Sequence, residues 1–387
     1  MNGRERIRCA FAHQEPDRVP VFELDVDSPV ASEICGRPMW SGLDGYVNGK
    51  LRNEMVLAGK ADEYYQRKIE DELEVYRKLE LDMIWAPLPP VVPSSIERLG
   101  ENRWRRLDLA HGHWWEYAYM PVLNEYTEVD SSLCRNGLPE LRRLVAEMEA
   151  EDASLANVSF KQLDWLREHA PDLAVFCWAD VAIPTGSSWS PVFMEAMVAE
   201  PELADRYLAA QHRQQLLVLE ACLQRDVDVV FGGMDFCGTR GPMISPAHYR
   251  RFLQPRFLEI TGLCHRYGVP YFRHEDGRLG ALEEDFILHS GLDGYHAIEP
   301  GAGMDIFYLK ERYGRQLTLL GNIDCANTLV FGSEAEVRQE VREKIRRCAP
   351  GGGYILSSSN SIHSGVPTRN YRAMLQAARE CGSYPVG

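Results

Sequence analysis

Val269-Pro-Tyr-Phe-Arg273, Leu292-Asp-Gly-Tyr-His-Ala-Ile298, Leu317-Thr-Leu-Leu-Gly321 and Gly353-Tyr-Ile-Leu-Ser357 are four short apolar runs within residues 269–360. Each reads as a strand, and each is followed by polar residues: His274-Glu-Asp-Gly277, Glu299-Pro-Gly301, Asn322-Ile-Asp324 and Ser359-Asn360. Helix-like segments separate them, at 279–289, 304–313 and 333–348, the last with Val337, Val341 and Ile345 at helical spacing. Strands that alternate with helices lie parallel, because each crossover returns the chain to the same end of the sheet. Their carboxyl ends then open on one side, and the polar residues converge on one mouth.

The same pattern extends towards the N-terminus. An amphipathic helix at 3–15, with Ile7, Ala10 and Phe11 on one side, precedes a strand at 19–25. Residues 28–60, punctuated by Gly36, Pro38, Gly42, Gly45 and Gly49, read as a long connection. A helix at 61–79 leads to a second strand at 81–87, which Pro87, Pro89, Pro90 and Pro93 stop. Runs at 102–109 and 113–120 flank Ala110-His-Gly112 as a hairpin outside the sheet, with Trp104, Trp114 and Trp115 as lid or packing residues. Helices at 138–148 and 160–169 follow, then strands at 173–180 and 227–233 joined by a helix at 201–224, and a helix over 249–266 started by Ser245-Pro246. The count reaches eight strands. The predicted fold is a TIM-type (β/α)8 barrel, a single domain over 1–387 with a hairpin and helical insertion at about 90–170, after the second strand. Pro350-Gly-Gly-Gly353 precedes a strand instead of following one, so it reads as a tight turn at the opposite end and not as a phosphate loop.

A net charge of -15 disfavours a nucleic-acid backbone as partner. No apolar run reaches membrane-spanning length and the first residues lack the apolar core of a signal peptide, so a cytoplasmic protein is expected. Ten cysteines without a C-x-x-C pair read as reduced thiols, not as a disulfide scaffold or thiolate knuckle.

In this register the mouth collects Glu23, Asp25, Asp180, Asp235, His274, Asp276, Glu299, Asp324, Asn360 and His363. So many carboxylates repel one another unless a cation, a proton or a basic group compensates them. His274 and Asp276, two apart at one strand end, are candidate metal ligands, with Glu299 of the neighbouring strand as third. The alternative is that His274 and Asp276 only hydrogen-bond each other and Arg273 or Arg278. Asp235, Asn360 and His363 are the candidate catalytic residues, and Glu23, Asp25, Asp180 and Asp324 the candidate substrate-binding ones. The direction of His296 depends on strand alternation.

Arg6-x-x-x-Ala-Phe-x-His-x-x-Pro-Asp-Arg-Val-Pro-Val, Arg240-Gly-Pro-Met-Ile-Ser-Pro246, Leu320-Gly-Asn-Ile-Asp324, Ala349-Pro-Gly-Gly-Gly-Tyr-Ile355 and Pro367-x-x-Asn370 resemble the uroporphyrinogen decarboxylase superfamily. That superfamily holds the decarboxylases of haem biosynthesis and the cobamide-dependent methyltransferases. The resemblance covers nearly the whole chain, is strongest over 225–385, and implies a TIM barrel. The decarboxylases use arginines after the first strand and an aspartate after the second. Here Glu23-Leu-Asp-Val-Asp27 and Ala86-Pro-Leu-Pro89 stand at those places, which argues against the tetrapyrrole reaction. The family's zinc methyltransferases carry His-x-Cys-Gly after the fifth strand and a Cys after the eighth. This chain has His274-Glu-Asp-Gly277 and Asn360 there, with His363 three residues on, so the layout is kept with oxygen ligands for thiolates.

The resemblance thus implies a corrinoid-linked methyltransferase or demethylase component. It would act on a small methylated compound through a divalent metal, zinc by preference, with corrinoid carried by a partner protein; homodimerisation is left open. A metal-free decarboxylase or lyase with a smaller substrate, using Asp235 and His363 as acid and base, is the second expectation. A non-catalytic module that binds a corrinoid protein is the third.

Overall fold

The computed structural model describes residues 1–91, 95–181 and 183–386. Seven strands run parallel in one curled sheet: Met83–Trp85, Ala174–Trp178, Val229–Gly232, Tyr271–Glu275, Gly294–Ala297, Thr318–Leu320 and Tyr354–Ile355, each paired with the next. The first barrel position is the segment 20–26, held by parallel bridges of Val21 to Leu356 and Val26 to Ile362. On its other edge the Asp82 amide donates to the Val21 carbonyl at 2.8 Å. This segment closes the sheet into the predicted TIM-type barrel. It makes isolated bridges in place of a regular ladder, and it begins at Pro20, which has no N–H to give but accepts the Leu356 amide.

Side chains alternate across the barrel wall. Phe22, Met83, Phe176, Phe231, Phe272, Leu320 and Ile355 fill the lumen as one buried cluster, with ring centroids 5.5 Å apart for Phe22 and Phe176 and 5.0 Å apart for Phe231 and Phe272. Helix Gly3–Phe11, started by a reciprocal cap between Asn2 and Glu5, adds Ile7 and Ala10 to that cluster and stoppers the end where the strands begin. The outward faces pack under the helices. Helix Glu334–Cys348, capped by Ser333 and Glu336, buries the anticipated Val337, Val341 and Ile345 stripe.

The region 28–60 departs from the expected long connection. It contains helix Ser28–Cys35, with Pro29 in its first turn and a left-handed Gly36 at its end, and the helical segments Tyr46–Leu51 and Arg52–Leu57. Gly45 is no breaker here: a Cβ on it would come within 2.3 Å of the Glu125 backbone, so glycine permits this segment to dock on the insertion. The insertion is larger than a hairpin. Strands Arg103–Leu107 and Trp114–Met120 form the centre of a four-stranded antiparallel sheet flanked by Ser95–Gly100 and Glu125–Ser131. Helices Ser132–Asn136, Leu138–Ala150 and Lys161–His169 lead back to the barrel. Trp104 is buried, as a packing residue should be, and Asn124 at the sheet tip donates to Ser364 Oγ at 3.1 Å. Pro93 lies outside the described residues. The Gly351, Gly352 and Gly353 run forms the expected turn, all three at positive φ. All ten cysteines are unbridged.

Among the buried polar clusters, two brace the fifth strand and the first barrel segment. Arg273, fully buried, donates to Asp180 and to the Met234 carbonyl, lies 3.6 Å from Glu275 Oε2 and is stacked over the rings of Phe236 and Phe257. Burial raises both carboxyls, and the guanidinium works against that rise. Arg273→Leu leaves two buried carboxylates without a counter-charge, a loss on the order of 3–5 kcal/mol. Thermal denaturation will show the drop, and adding Glu275→Gln to the variant will recover part of it.

The second cluster seals the barrel. Glu23, fully buried, accepts hydrogen bonds from the amide and hydroxyl of Ser358, and burial pushes its carboxyl from the usual 4.5 up to about 8. Between those values the folded chain holds a proton that the unfolded chain lacks. The stabilising contribution is therefore complete below the lower value and is lost as pH rises to the upper one, by at most about 1.4 kcal/mol per pH unit. Glu23→Gln removes this component, so urea titrations will show wild-type stability falling more steeply than the variant's across that window.

Candidate functional site

The fifth and sixth strands build the centre of the mouth. Alternation sends Phe272 and His274 into the lumen and Arg273 and Glu275 outward, and the register sets His274 directly beside His296. Their rings lie 5.0 Å apart, with the two Nδ1 atoms at 2.9 Å. Phe22 meets His296 edge-on at 5.4 Å and Phe231 meets His274 at 6.4 Å, so the aromatic layer of the lumen forms the floor on which both imidazoles rest.

His274 Nε2 points at two carboxylates, 3.5 Å from Asp276 Oδ2 and 3.8 Å from Asp235 Oδ1. Asp235 arrives from the loop after the fourth strand, and its Oδ1 accepts the Asp276 amide at 3.2 Å. Asn360, from beyond the eighth strand, donates to Asp276 Oδ2, while Asp276 Oδ1 is buried without a hydrogen-bond partner. The turn that follows is fixed on both sides. Gly277 has φ 76°, a Cβ on it would come within 2.7 Å of the Gly238 backbone, and its amide donates to Glu299 Oε2 at 2.7 Å.

Burial alone would lower the His274 pKa; the hydrogen bond and charge of Asp276, with Asp235 behind it, reverse the effect and raise it. Burial raises Asp235, His274 opposes the rise and Asp276 adds to it. His296 is held well below the usual histidine value by burial first and by the neighbouring His274 second.

Of the residues singled out in the sequence, His274, Asp276, Asp235 and Asn360 come together. Ligand atoms of Asp235, His274 and Asp276 all lie within 4.8 Å of one another, and among the described residues this is the group whose donors suit a metal ion. Donors about 2.1 Å from a tetrahedrally held ion stand roughly 3.4 Å apart, so the two distances from His274 Nε2, 3.5 and 3.8 Å, lie within a few tenths of an ångström of that spacing. The donor set, one imidazole nitrogen and two carboxylate oxygens with an unsatisfied Asp276 oxygen among them, fits a divalent cation.

The remaining expected residues are used elsewhere. Glu299 holds the Gly277 turn and is outside the group of three. Glu23 faces Ser358 in the barrel seam, and Asp25 accepts the Leu43 amide. Asp180 binds Arg273 and the amides of Gly233 and Met234. Asp324 caps its own turn through the amides of Ala326 and Asn327. His363 accepts the Gly365 amide at Nδ1 and donates from Nε2 to the Cys325 carbonyl. The sequence left the direction of His296 open; the register that sets it opposite His274 on the neighbouring strand places it on the lumen side.

Beside Met234 a cavity of about 330 Å³ opens between barrel and insertion, lined by Trp115, Glu128, Trp189, Tyr207 and Met234 among others. Ser188 donates its amide and hydroxyl to Glu128, whose carboxyl is raised by burial.

Comparison with known proteins agrees with this architecture. A methyltransferase from Methanosarcina mazei superposes over 98% of this chain and 99% of its own with a TM-score of 0.61, a likeness of fold at 16% identity. The uroporphyrinogen decarboxylase of Actinobacillus succinogenes is 25% identical over 194 residues, 48% of this chain and 50% of that one. That of Crocosphaera subtropica is 24% identical over 139 residues, 35% of this chain and 37% of that one. The chain thus spans half the length or less of these curated relatives. Residues 183–381, more than half of the chain, match the family model described as uroporphyrinogen decarboxylase (URO-D), and the chain belongs to that family.

Proposed function

We propose that this chain is a corrinoid-linked methyltransferase or demethylase component that acts on a small methylated compound, with a divalent cation held by Asp235, His274 and Asp276. The observation that carries the reading is the approach of these three donors at the barrel mouth, with the His274 nitrogen turned to both carboxylates. A bound cation, zinc or a harder ion such as manganese, would supply Lewis acidity toward the heteroatom of the methyl donor or acceptor.

The protein's own groups then divide the work. Asn360 holds Asp276 in place by its amide. Glu299 acts one step back, through the Gly277 turn. His363 would orient substrate or move a proton after giving up its bond to the Cys325 carbonyl. Because Glu23, Asp25, Asp180 and Asp324 are engaged in structural bonds, substrate recognition falls to Asn360, His363 and the aromatic cavity. A substrate held in that cavity, of about 330 Å³ and next to Asp235 through Met234, would be a small molecule and not a tetrapyrrole. The corrinoid-carrying partner is what the resemblance to the cobamide-dependent methyltransferases implies, and the likeness in fold to a protein named a methyltransferase is in keeping with it.

A second reading, a decarboxylase or lyase with a smaller substrate, draws on the names of the curated relatives and on Asp235, whose raised carboxyl is suited to hold a proton. Elemental analysis and substrate screening separate the two. On the leading reading purified protein carries one divalent ion per chain, His274→Ala and Asp235→Ala lose it, and demethylation depends on a corrinoid protein. Metal-free wild type that releases carbon dioxide from a small carboxylic acid would reverse the choice.

A further inference from the structure

His296 is fully buried and meets the site through the Nδ1 of His274. Two imidazoles that meet through their Nδ1 atoms can bond only if one donates and the other accepts. On its far side His296 Nε2 lies 3.1 Å from Ser357 Oγ, a hydroxyl able to take either role. With both rings neutral, the chain Ser357, His296, His274 admits two arrangements. In one, His274 carries its proton on Nε2 and offers it to Asp276. In the other, His274 carries it on Nδ1, His296 accepts it, His296 donates from Nε2 to Ser357, and the His274 Nε2 lone pair is free.

Only the second leaves a ligand atom facing Asp235 and Asp276. We infer that His296 is a positioning residue for the cation site, its Nδ1 accepting the Nδ1–H of His274 so that the Nε2 lone pair stays aimed at the two carboxylates. The inference rests on the metal reading given above. It is supported by the rigidity of the pair: the strand register fixes the two Cα atoms opposite each other, and the edges of Phe22 and Phe272 bracket the His296 ring. A ligand imidazole whose second nitrogen is held this way binds metal with defined tautomer and orientation.

The test uses Co²⁺ as probe on the full chain, with affinity measured by chelator competition at about pH 8, where exposed imidazoles are neutral, and coordination followed by the visible d–d spectrum. His296→Phe keeps the ring volume but removes the acceptor; Co²⁺ should bind about 10–100-fold more weakly and with an altered spectrum. His296→Gln, whose amide oxygen can accept the same proton, should recover most of the affinity and the wild-type spectrum. Ser357→Ala, which leaves both rings in place, should weaken binding less than His296→Phe and serves if that variant does not fold. Variants at 296 and 357 that bind Co²⁺ as wild type does, with an unchanged spectrum, overturn the inference while leaving the cation site standing. Wild type that takes up no Co²⁺ overturns the metal reading and this inference with it.

Discussion

The two-residue alternation of the fifth strand is the constraint from which the rest of the molecule follows. Phe272, His274 and Asp276 lie on the lumen and mouth side, Arg273 and Glu275 on the helix side, and no shift of register could exchange them without driving a guanidinium into the aromatic lumen. Each set is anchored by its own surroundings. The outward pair is locked by Asp180 and the amides of Phe236 and Cys237, and the inward pair by His296, Asp235 and Asn360. The buried ion cluster behind the sheet and the polar cluster in front of it are therefore two faces of one strand, each holding the other in place.

Much of this was legible from the residue pattern, because parallel strands betray themselves by apolar runs with polar ends and helices by their spacing. The gathering of His274, Asp276, Asp235 and Asn360 followed from strand polarity alone. Side-chain direction is harder to read. Glu23 and Asp25 fall on the outward step of the alternation in the seam, where backbone amides claim them, and Asp180, two residues beyond the end of its strand, is claimed by Arg273. Glu299 was placed near the right turn, yet it meets a backbone amide and not the carboxylate group, a difference of a few ångströms that no spacing rule resolves. His296 was hidden for the opposite reason: it lies inside a strand, and only the register with its neighbour reveals that it shares a face with His274.

The glycine-punctuated segment 28–60 carries a related lesson. Glycine there marks close approach between layers as well as turns, so a composition that suggests irregular chain is compatible with short helices packed against the insertion. The insertion reaches the mouth from one side, contributes Trp115 and Glu128 to the aromatic cavity, and is tied at its tip to the loop after the eighth strand through Asn124 and Ser364. The barrel's loops and the insertion are thus joined by a direct bond and not by proximity alone.

The seam between segment 20–26 and the residues near 356 and 362 bears on how such a chain comes to be made. Its bridges join positions more than three hundred residues apart, so on a ribosome the early part of the chain waits until residues 356–362 have emerged before its edge finds a mate. Until then the lumen phenylalanines and the stopper helix face water together. The exposed rim of a half-made cylinder, more than any weakness in the finished one, is where aggregation would compete with success.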